Sequence, residues 1–507
     1  MARRPQVVPG TWATRVREAY ASAHLSQASA LYDEYAACRD IPADLVLLRA
    51  RIALGTDPPA ALDLLLAQRA RFERNGDRLA AEILLGSSFA QLHDYAAADA
   101  YFERARLLVD RRSVVQGAAL AAARGRRYLA EARIGDAWRC YEATLVDRRI
   151  EGRIESESLK AEIHGSESRF GEEAASLMRL LSLLGETLDA HLALWYRAVA
   201  QLAQLACELP APAAAATVAA ALVARPNWSA DFATGQFQSL RSLAWCKTLA
   251  GDALGSFRYL REAGTIAESL GSAPLRAIVM LDRAQFARNA REEHWSANES
   301  AAATDLLRDA DWQRTSAGER AVLPLLAEVL AVSDPESAAA AIARYTTLNG
   351  ASDPIALAAG GTVHLANGRA REGVRALSSA YDAFNHSGSE WRAGKAAIAL
   401  AQATGEARWR LLALEKLEFY AASWLYEQAQ ELAELPTEAE GVSLTPMQER
   451  VFNMICEGLS TDAIAARLGR SHSTVRNHIK LIFKALGVRS RAALVAKAAR
   501  IGRFTIS

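Results

Sequence analysis

"EILLGSSFAQLHDYAAADAYFERARLLVD", residues 82–110, carries the pattern that decides the fold. Leu85 and Gly86 are followed by Phe89 and then by Ala98, Phe102 and Ala105, so small and large apolar residues alternate at helical offsets on two successive segments. Residues three or four apart share one face of a helix. A small residue on that face lets a second helix lie close, and an aromatic fills the groove beside the crossing. The stretch therefore predicts two helices packed against each other across a short turn.

Working outward, the same offsets recur thirty-nine residues later at Gly125, Tyr128, Ala137 and Tyr141. They recur again at Gly361, Gly373, Leu377 and Ala380, and more faintly at Leu243, Ser256, Leu260 and Ala263. Units such as "SLKAEIHGSESRFGEEAASLMRLL", residues 158–181, keep only part of the pattern. Ala, Leu and Glu dominate the first 430 or so residues, Gly and Pro punctuate them, and alternating β-branched runs are scarce, which predicts an all-α chain. The repeats resemble tetratricopeptide units with drifting spacing. At roughly 34 to 40 residues per unit, the resemblance implies about ten or eleven helix pairs. The expected layout is a disordered tail over residues 1–10 and a helical-repeat solenoid over 11–433.

Repeat arrays present extended surfaces to partners, so a sensing or interaction role is expected; the alternative is a rigid scaffold that only sets dimer geometry. The segment "PNWSADFATGQFQSLRSLAWC", residues 226–246, places Trp228, Phe232, Phe237 and Trp245 close together. These aromatics can line a ligand pocket, although such residues more often fill a core.

The net charge of the 507 residues is only +1, but it is unevenly spread. Val442–Ser507 holds 11 Lys or Arg against three Asp or Glu, a net of +8, which leaves −7 on the rest. A basic end on an acidic body points to a polyanionic partner. The apolar periodicity stops at "ELPTEAEGVS", residues 434–443, which reads as a linker.

Beyond it, residues 444–502 read as four compact helices. Thr445 is placed to cap the first, with Pro446 at its first position, Val451, Met454 and Ile455 on one face and Gly458 at its end. Ser460 or Thr461 caps the second, Asp462 sits in its first turn, Ile464, Ala465 and Leu468 face inward, and Gly469 stops it. Ser471 is placed to cap the third. There Val475, Ile479, Ile482 and Leu486 form an apolar stripe, and Ser473, Arg476, Asn477, Lys480 and Lys484 form the opposite one. Arg and Lys donate to guanine O6 and N7, and Asn makes paired contacts with adenine, so this stripe has the chemistry of major-groove reading. Two short helices joined by a tight turn, the second basic, give a helix-turn-helix.

Residues 444–495 resemble the LuxR-type DNA-binding domain. The resemblance is carried by Leu444, Thr445, Val451, Glu457, Gly458, Leu459, Ser460, Ile464, Ala465, Leu468, Ser471, Thr474, Val475, His478, Ile479, Leu486, Arg489, Ser490, Arg491 and Ala492. It implies that the third helix enters the major groove, with base contacts from Arg476, Asn477 and Lys480. It also implies phosphate contacts from Thr474 and Lys484, to which Arg470 and Ser473 add, and pairing of two copies near Leu494 and Val495. His478 either touches a phosphate or takes a packed or capping role. Gln448 stands where the family usually has Glu, which removes an internal salt bridge, and no departure falls on the base-reading face.

Five widely spaced cysteines, Cys38, Cys140, Cys207, Cys246 and Cys456, include no metal-ligand spacing and read as small buried residues of a reducing compartment. The most apolar run, "PAPAAAATVAAALVA" at residues 210–224, is too short to span a bilayer, and no signal-peptide pattern follows the N-terminus. Gly394 and Lys395 lack the glycine and hydroxyl neighbours of a phosphate loop, so no nucleotide cofactor and no catalysis is expected. The sequence thus predicts a cytoplasmic bacterial transcriptional regulator binding double-stranded promoter or operator DNA, as a homodimer and without a cofactor. Its solenoid would receive a small-molecule, peptide or protein effector, and RNA polymerase is a candidate contact. The alternative is a protein-interaction scaffold whose basic tail binds nucleic acid weakly and non-specifically.

Overall fold

A computed structural model describes residues 9–36, 41–209, 212–224, 228–290, 292–313, 315–349, 353–434, 444–486, 488 and 494. Among them every regular element is a helix. The tail expected over residues 1–10 lies outside the described residues as far as residue 8, and Pro9 and Gly10 open the first helix, Pro9–Ala21. Of the expected linker, residues 435–443 lie outside the description, and Glu434 ends the helix Trp424–Glu434.

Apart from the single turn Ala317–Arg320 and two 3-10 turns, the described helices before residue 418 fall into eleven consecutive pairs, the first of Pro9–Ala21 with Leu25–Ala36 and the last of Glu390–Thr404 with Ala407–Leu417. The close crossing read from residues 82–110 is present. In the pair Asn75–Gln91 and Tyr95–Leu108, a Cβ added to Gly86 would fall 2.7 Å from Cε1 of the fully buried Phe102, so no larger residue fits without moving the ring. Sixteen residues separate these two, and sixteen also separate Gly361 from Leu377, whose Cγ lies 2.7 Å from where a Gly361 Cβ would be. The fourth pair, Val114–Ala130 with Ile134–Thr144, differs. Gly125 is approached by Leu159 of the following pair and by Cys140, while Tyr141 stays half-buried, edge-on to Trp138. Leucine from the next unit has taken the place of the aromatic.

The turns inside the pairs share a device. Two positions before the second helix the backbone is left-handed, at Ala23, His93, Ala132 and Ser168, and at Gly251 and Gly368. At His93 and Gly251 the next residue is the aspartate N-cap of the second helix, Asp94 accepting from Ala97 N at 3.0 Å and Asp252 from Gly255 N at 2.9 Å. The cap satisfies an amide that the helix start would otherwise leave unpaired.

The earlier pairs bury their apolar residues in several smaller clusters, and the later ones share a single large cluster. One apolar cluster runs from Trp195 through Phe237, Leu281, Leu326 and Leu400 to Leu425, and Ala23 of the first pair joins it. The first pair also reaches back to the middle of the chain, where Ser26 N donates to Asp231 Oδ2 at 3.2 Å. Inside this core Asp282, fully buried, accepts from Arg241 at 2.6 and 3.1 Å and from Trp245 Nε1 at 3.2 Å, which compensates its charge.

Two substitutions test these devices in opposite directions. Gly86→Ala forces the Phe102 ring aside and lowers stability by about 1–3 kcal/mol, the usual cost of overpacking. Ala132→Gly relieves a left-handed residue that carries a Cβ and raises stability by about 1 kcal/mol. Urea unfolding of the two variants against the unchanged chain reads both signs.

Candidate nucleic-acid interface

The C-terminal helices form as their caps dictate. Helix Pro446–Cys456 starts with a reciprocal capping box: Gln448 N donates to Thr445 Oγ1 and Thr445 N to Gln448 Oε1, both at 3.1 Å. Gln448, the departure from the family pattern, thus serves the helix start and is fully buried there. Ser460, not Thr461, caps helix Thr461–Leu468 through Ala463 N at 3.2 Å, and Gly469 ends it in the left-handed region. Ser471 caps helix His472–Leu486 through Thr474 N at 3.1 Å.

That third helix packs Val475, Ile479 and Ile482 against Val451, Phe452, Ile455 and Ile464 in a core of its own. With this stripe fixed inward, Ser473, Arg476, Asn477, Lys480 and Lys484 are exposed on the outer face, and Arg470 is exposed at the turn. Among the described residues, Arg476, Asn477, Lys480 and Lys484 make no hydrogen bond or ion pair, whereas nearby Arg467 pairs with Glu457 at 3.4 Å and His472 with Asp462 at 3.3 Å. Ser473 and Thr474 are held at the helix start, each with its hydroxyl 2.8 Å from Ser471 Oγ. The geometry brings together all the residues expected to read bases or hold phosphates.

Other expectations are corrected. Leu494, expected at a pairing surface, has no exposed area and belongs to the domain's own core, so its side chain is spent inside one copy. Val495 lies outside the described residues, as do all residues of the expected fourth helix except Leu494. Of the four aromatics proposed as a pocket, Phe237 and Trp245 are core residues, and Trp245 stacks on Trp391 with ring centroids 5.2 Å apart. Trp228 and Phe232 gather around Tyr196, at 4.7 and 5.1 Å. A cavity of about 400 Å³ does open in the solenoid, and none of the four lines it.

His478 resolves to the packed alternative: it is buried, and its Nδ1 has no partner among the described residues. It lies on a third face of the helix with Leu481, which packs against the solenoid core. The charges that act on it are those of Glu418, from the turn Glu418–Tyr420 that follows the solenoid's last pair, and of Arg470. Burial pushes the imidazole pKa below its ordinary value, Glu418 opposes that, and Arg470 adds to it. A depressed folded-state pKa means that the contribution of neutral His478 is complete above the ordinary imidazole range and is lost as pH falls through it. Acidification from pH 7 to 5 therefore loosens helix His472–Leu486. Hydrogen exchange across that helix, corrected for intrinsic rates, accelerates in the unchanged chain and accelerates less in His478→Gln.

Comparison with known proteins follows the same division. Solved structures similar to the helical array include the apo form of RapI, 10% identical with a TM-score of 0.42, covering 77% of this chain and 97% of that one. Aspartyl phosphate phosphatase F from Bacillus subtilis is 11% identical with a TM-score of 0.32, covering 88% and 100%. HTH-type transcriptional regulators of Mycobacterium bovis and Mycobacterium tuberculosis are 45% identical over 60 residues, 12% of this chain but only 7% of their own length. The spore germination protein GerE of Bacillus subtilis is 35% identical over 63 residues, which is 12% of this chain and 85% of that protein. Residues 442–498 match the family described as bacterial regulatory proteins, luxR family. With a fitted helix-turn-helix domain and a relative matched over most of its length, the chain belongs to the LuxR family of bacterial regulatory proteins.

Proposed function

We propose that this protein is a transcriptional regulator that binds double-stranded DNA in a sequence-specific manner, and that its solenoid receives an effector that controls how the DNA-binding domain is presented. The observation that carries the reading is the outer face of helix His472–Leu486. Three cations and an amide stand exposed there, without partners among the described residues, on a helix whose opposite stripe is locked in a core. Unpaired cations on a rigid helix are already oriented for a polyanion, so little ordering entropy opposes binding.

In this reading the helix lies in the major groove. Arg476 and Lys480 donate to guanine O6 and N7, and Asn477 pairs with adenine N6 and N7. Lys484, Arg470, Ser473 and Thr474 hold phosphates and so set register without carrying sequence information. Two copies bind adjacent half-sites about one helical turn apart. With Leu494 buried, pairing uses a surface other than its side chain. An effector shifts the output only if it binds the DNA-competent arrangement with a different affinity from the other.

Enrichment from a random duplex pool, followed by fluorescence anisotropy with the enriched site, tests the reading. The expected result is a defined motif preferred over random duplex by about 4–10 kcal/mol. A scaffold with only an electrostatic tail would instead yield no motif and lose nearly all binding between about 50 and 200 mM salt. Asn477→Ala is expected to cost about 1–3 kcal/mol on the enriched site and little on random duplex. Lys484→Ala weakens both alike and lowers the salt slope by about one. Equal losses on all sequences from both changes would overturn the role assignment.

A further inference from the structure

We propose that the cavity among helices Ala273–Asn289, Pro354–Ala366, Glu390–Thr404 and Trp424–Glu434 is the effector site, and that it takes an uncharged, amide-bearing small molecule with an apolar body. This deepens the regulator reading above and rests on it.

The cavity measures about 400 Å³, within the range of small-ligand sites, about 300–1,000 Å³. Its apolar wall includes Val332 and Ile355, which stand 82% and 44% exposed. Large apolar side chains presented together at a concave surface mark a place where something apolar is received.

The polar part of the wall specifies the rest. Gln285 and Asn289, one turn apart on Ala273–Asn289, both line the cavity. Gln285 Nε2 donates to Glu328 Oε1 at 2.9 Å, which fixes the orientation of its amide and leaves Oε1 as the acceptor. Among the described residues that Oε1 and Asn289 Nδ2 are buried without a hydrogen-bond partner. Side chains four apart on a helix are neighbours, with about 5–6 Å between their Cβ atoms. One acceptor and one donor at that separation are complemented by the N–H and C=O of an amide.

Of the cations in the wall, Lys395 is paired with Glu328, Arg392 with Glu208 at 2.9 Å, and Arg288 donates to Val329 O at 2.6 Å, so the site asks for no ion. The exposed carboxylate of Glu427 disfavours an anion.

The wall is also joined to the DNA-binding domain. Gly394 lies so close to Leu417 that a Cβ there would fall 2.5 Å from Leu417 Cγ, so helices Glu390–Thr404 and Ala407–Leu417 move as a unit. Leu417 belongs to the core cluster against which Leu481 of the recognition helix packs, and the charge of the next residue, Glu418, acts on His478 of that helix. A ligand that shifts the wall carrying Lys395 shifts that contact.

The test titrates the full chain with N-acetyl-Leu-Leu-amide, N-acetyl-Glu-Glu-amide and N-acetyl-Lys-Lys-amide, reading tryptophan fluorescence and thermal unfolding. Val332→Glu places a charge at the cavity on an exposed residue, and Val146→Glu, 62% exposed elsewhere, is its control. The uncharged probe is expected to saturate in the unchanged chain and in Val146→Glu, to bind at least tenfold more weakly to Val332→Glu, and to change DNA affinity at least threefold. No saturation by the uncharged probe, equal binding by Val332→Glu, or preferential binding of either charged probe overturns the site. Saturation without a change in DNA affinity overturns the effector role. DNA binding measured without any probe is scored separately. Its absence sinks the regulator reading whatever the probes do, and its presence with inert probes sinks only this proposal.

Discussion

A pair of helices joined by a short turn leaves at least one apolar face uncovered, and in this protein that face is covered only by the next pair. The close crossings make the covering possible. Gly86 admits the Phe102 ring, Gly361 and Gly373 bring their two backbones together, and Gly125 receives Leu159 from the following unit. Each crossing therefore depends on residues from one or two repeats and sets where the next repeat lies. Stability in such an array is a sum over neighbours, and the ends need a cap. At the C-terminal end, Leu425 and Ala429 of Trp424–Glu434 are fully buried in the common cluster, and Leu481 of the recognition helix packs against the same cluster. The DNA-binding domain is thus packed onto the solenoid's last pair.

The parts of this arrangement that were legible in the sequence are those written in local offsets. Gly86 with Phe102, Gly361 with Leu377, and the caps at Thr445, Ser460 and Ser471 all lie within sixteen residues of their partners. The recognition helix was legible for the same reason, since its core stripe and its basic stripe are both phases of one helix. What stayed hidden depends on distance along the chain. The cavity draws Gln285 and Gln428 together across the array, and no periodicity relates them. The aromatic segment at residues 226–246 left pocket and core both open, because closeness in sequence does not fix a shared surface; Tyr196 and Trp391, from other helices, decide where those rings lie. Leu494 misled because an apolar residue in a basic segment fits a pairing surface and a domain core equally well, and only the position of the other helices chooses the core.

Three roles share the recognition helix, and their separation is a matter of angle. At about 3.6 residues per turn, Val475, Ile479 and Ile482 fall on one stripe, Arg476, Asn477, Lys480 and Lys484 on a second, and His478 with Leu481 on a third. The first stripe holds the domain together, the second is left free, and the third meets the solenoid. A side chain buried on the third stripe is unavailable to a phosphate, so the two alternatives for His478 were never compatible in this packing. The same geometry means that the solenoid touches the helix beside its outer face and does not cover that face. A displacement of the solenoid core acts on the helix through Leu481, changing its position or mobility while Arg476 and Lys480 keep their exposure. Control through this contact would therefore appear as a change in how two DNA-binding domains are placed relative to one another. It would not appear as the uncovering of a masked reading face.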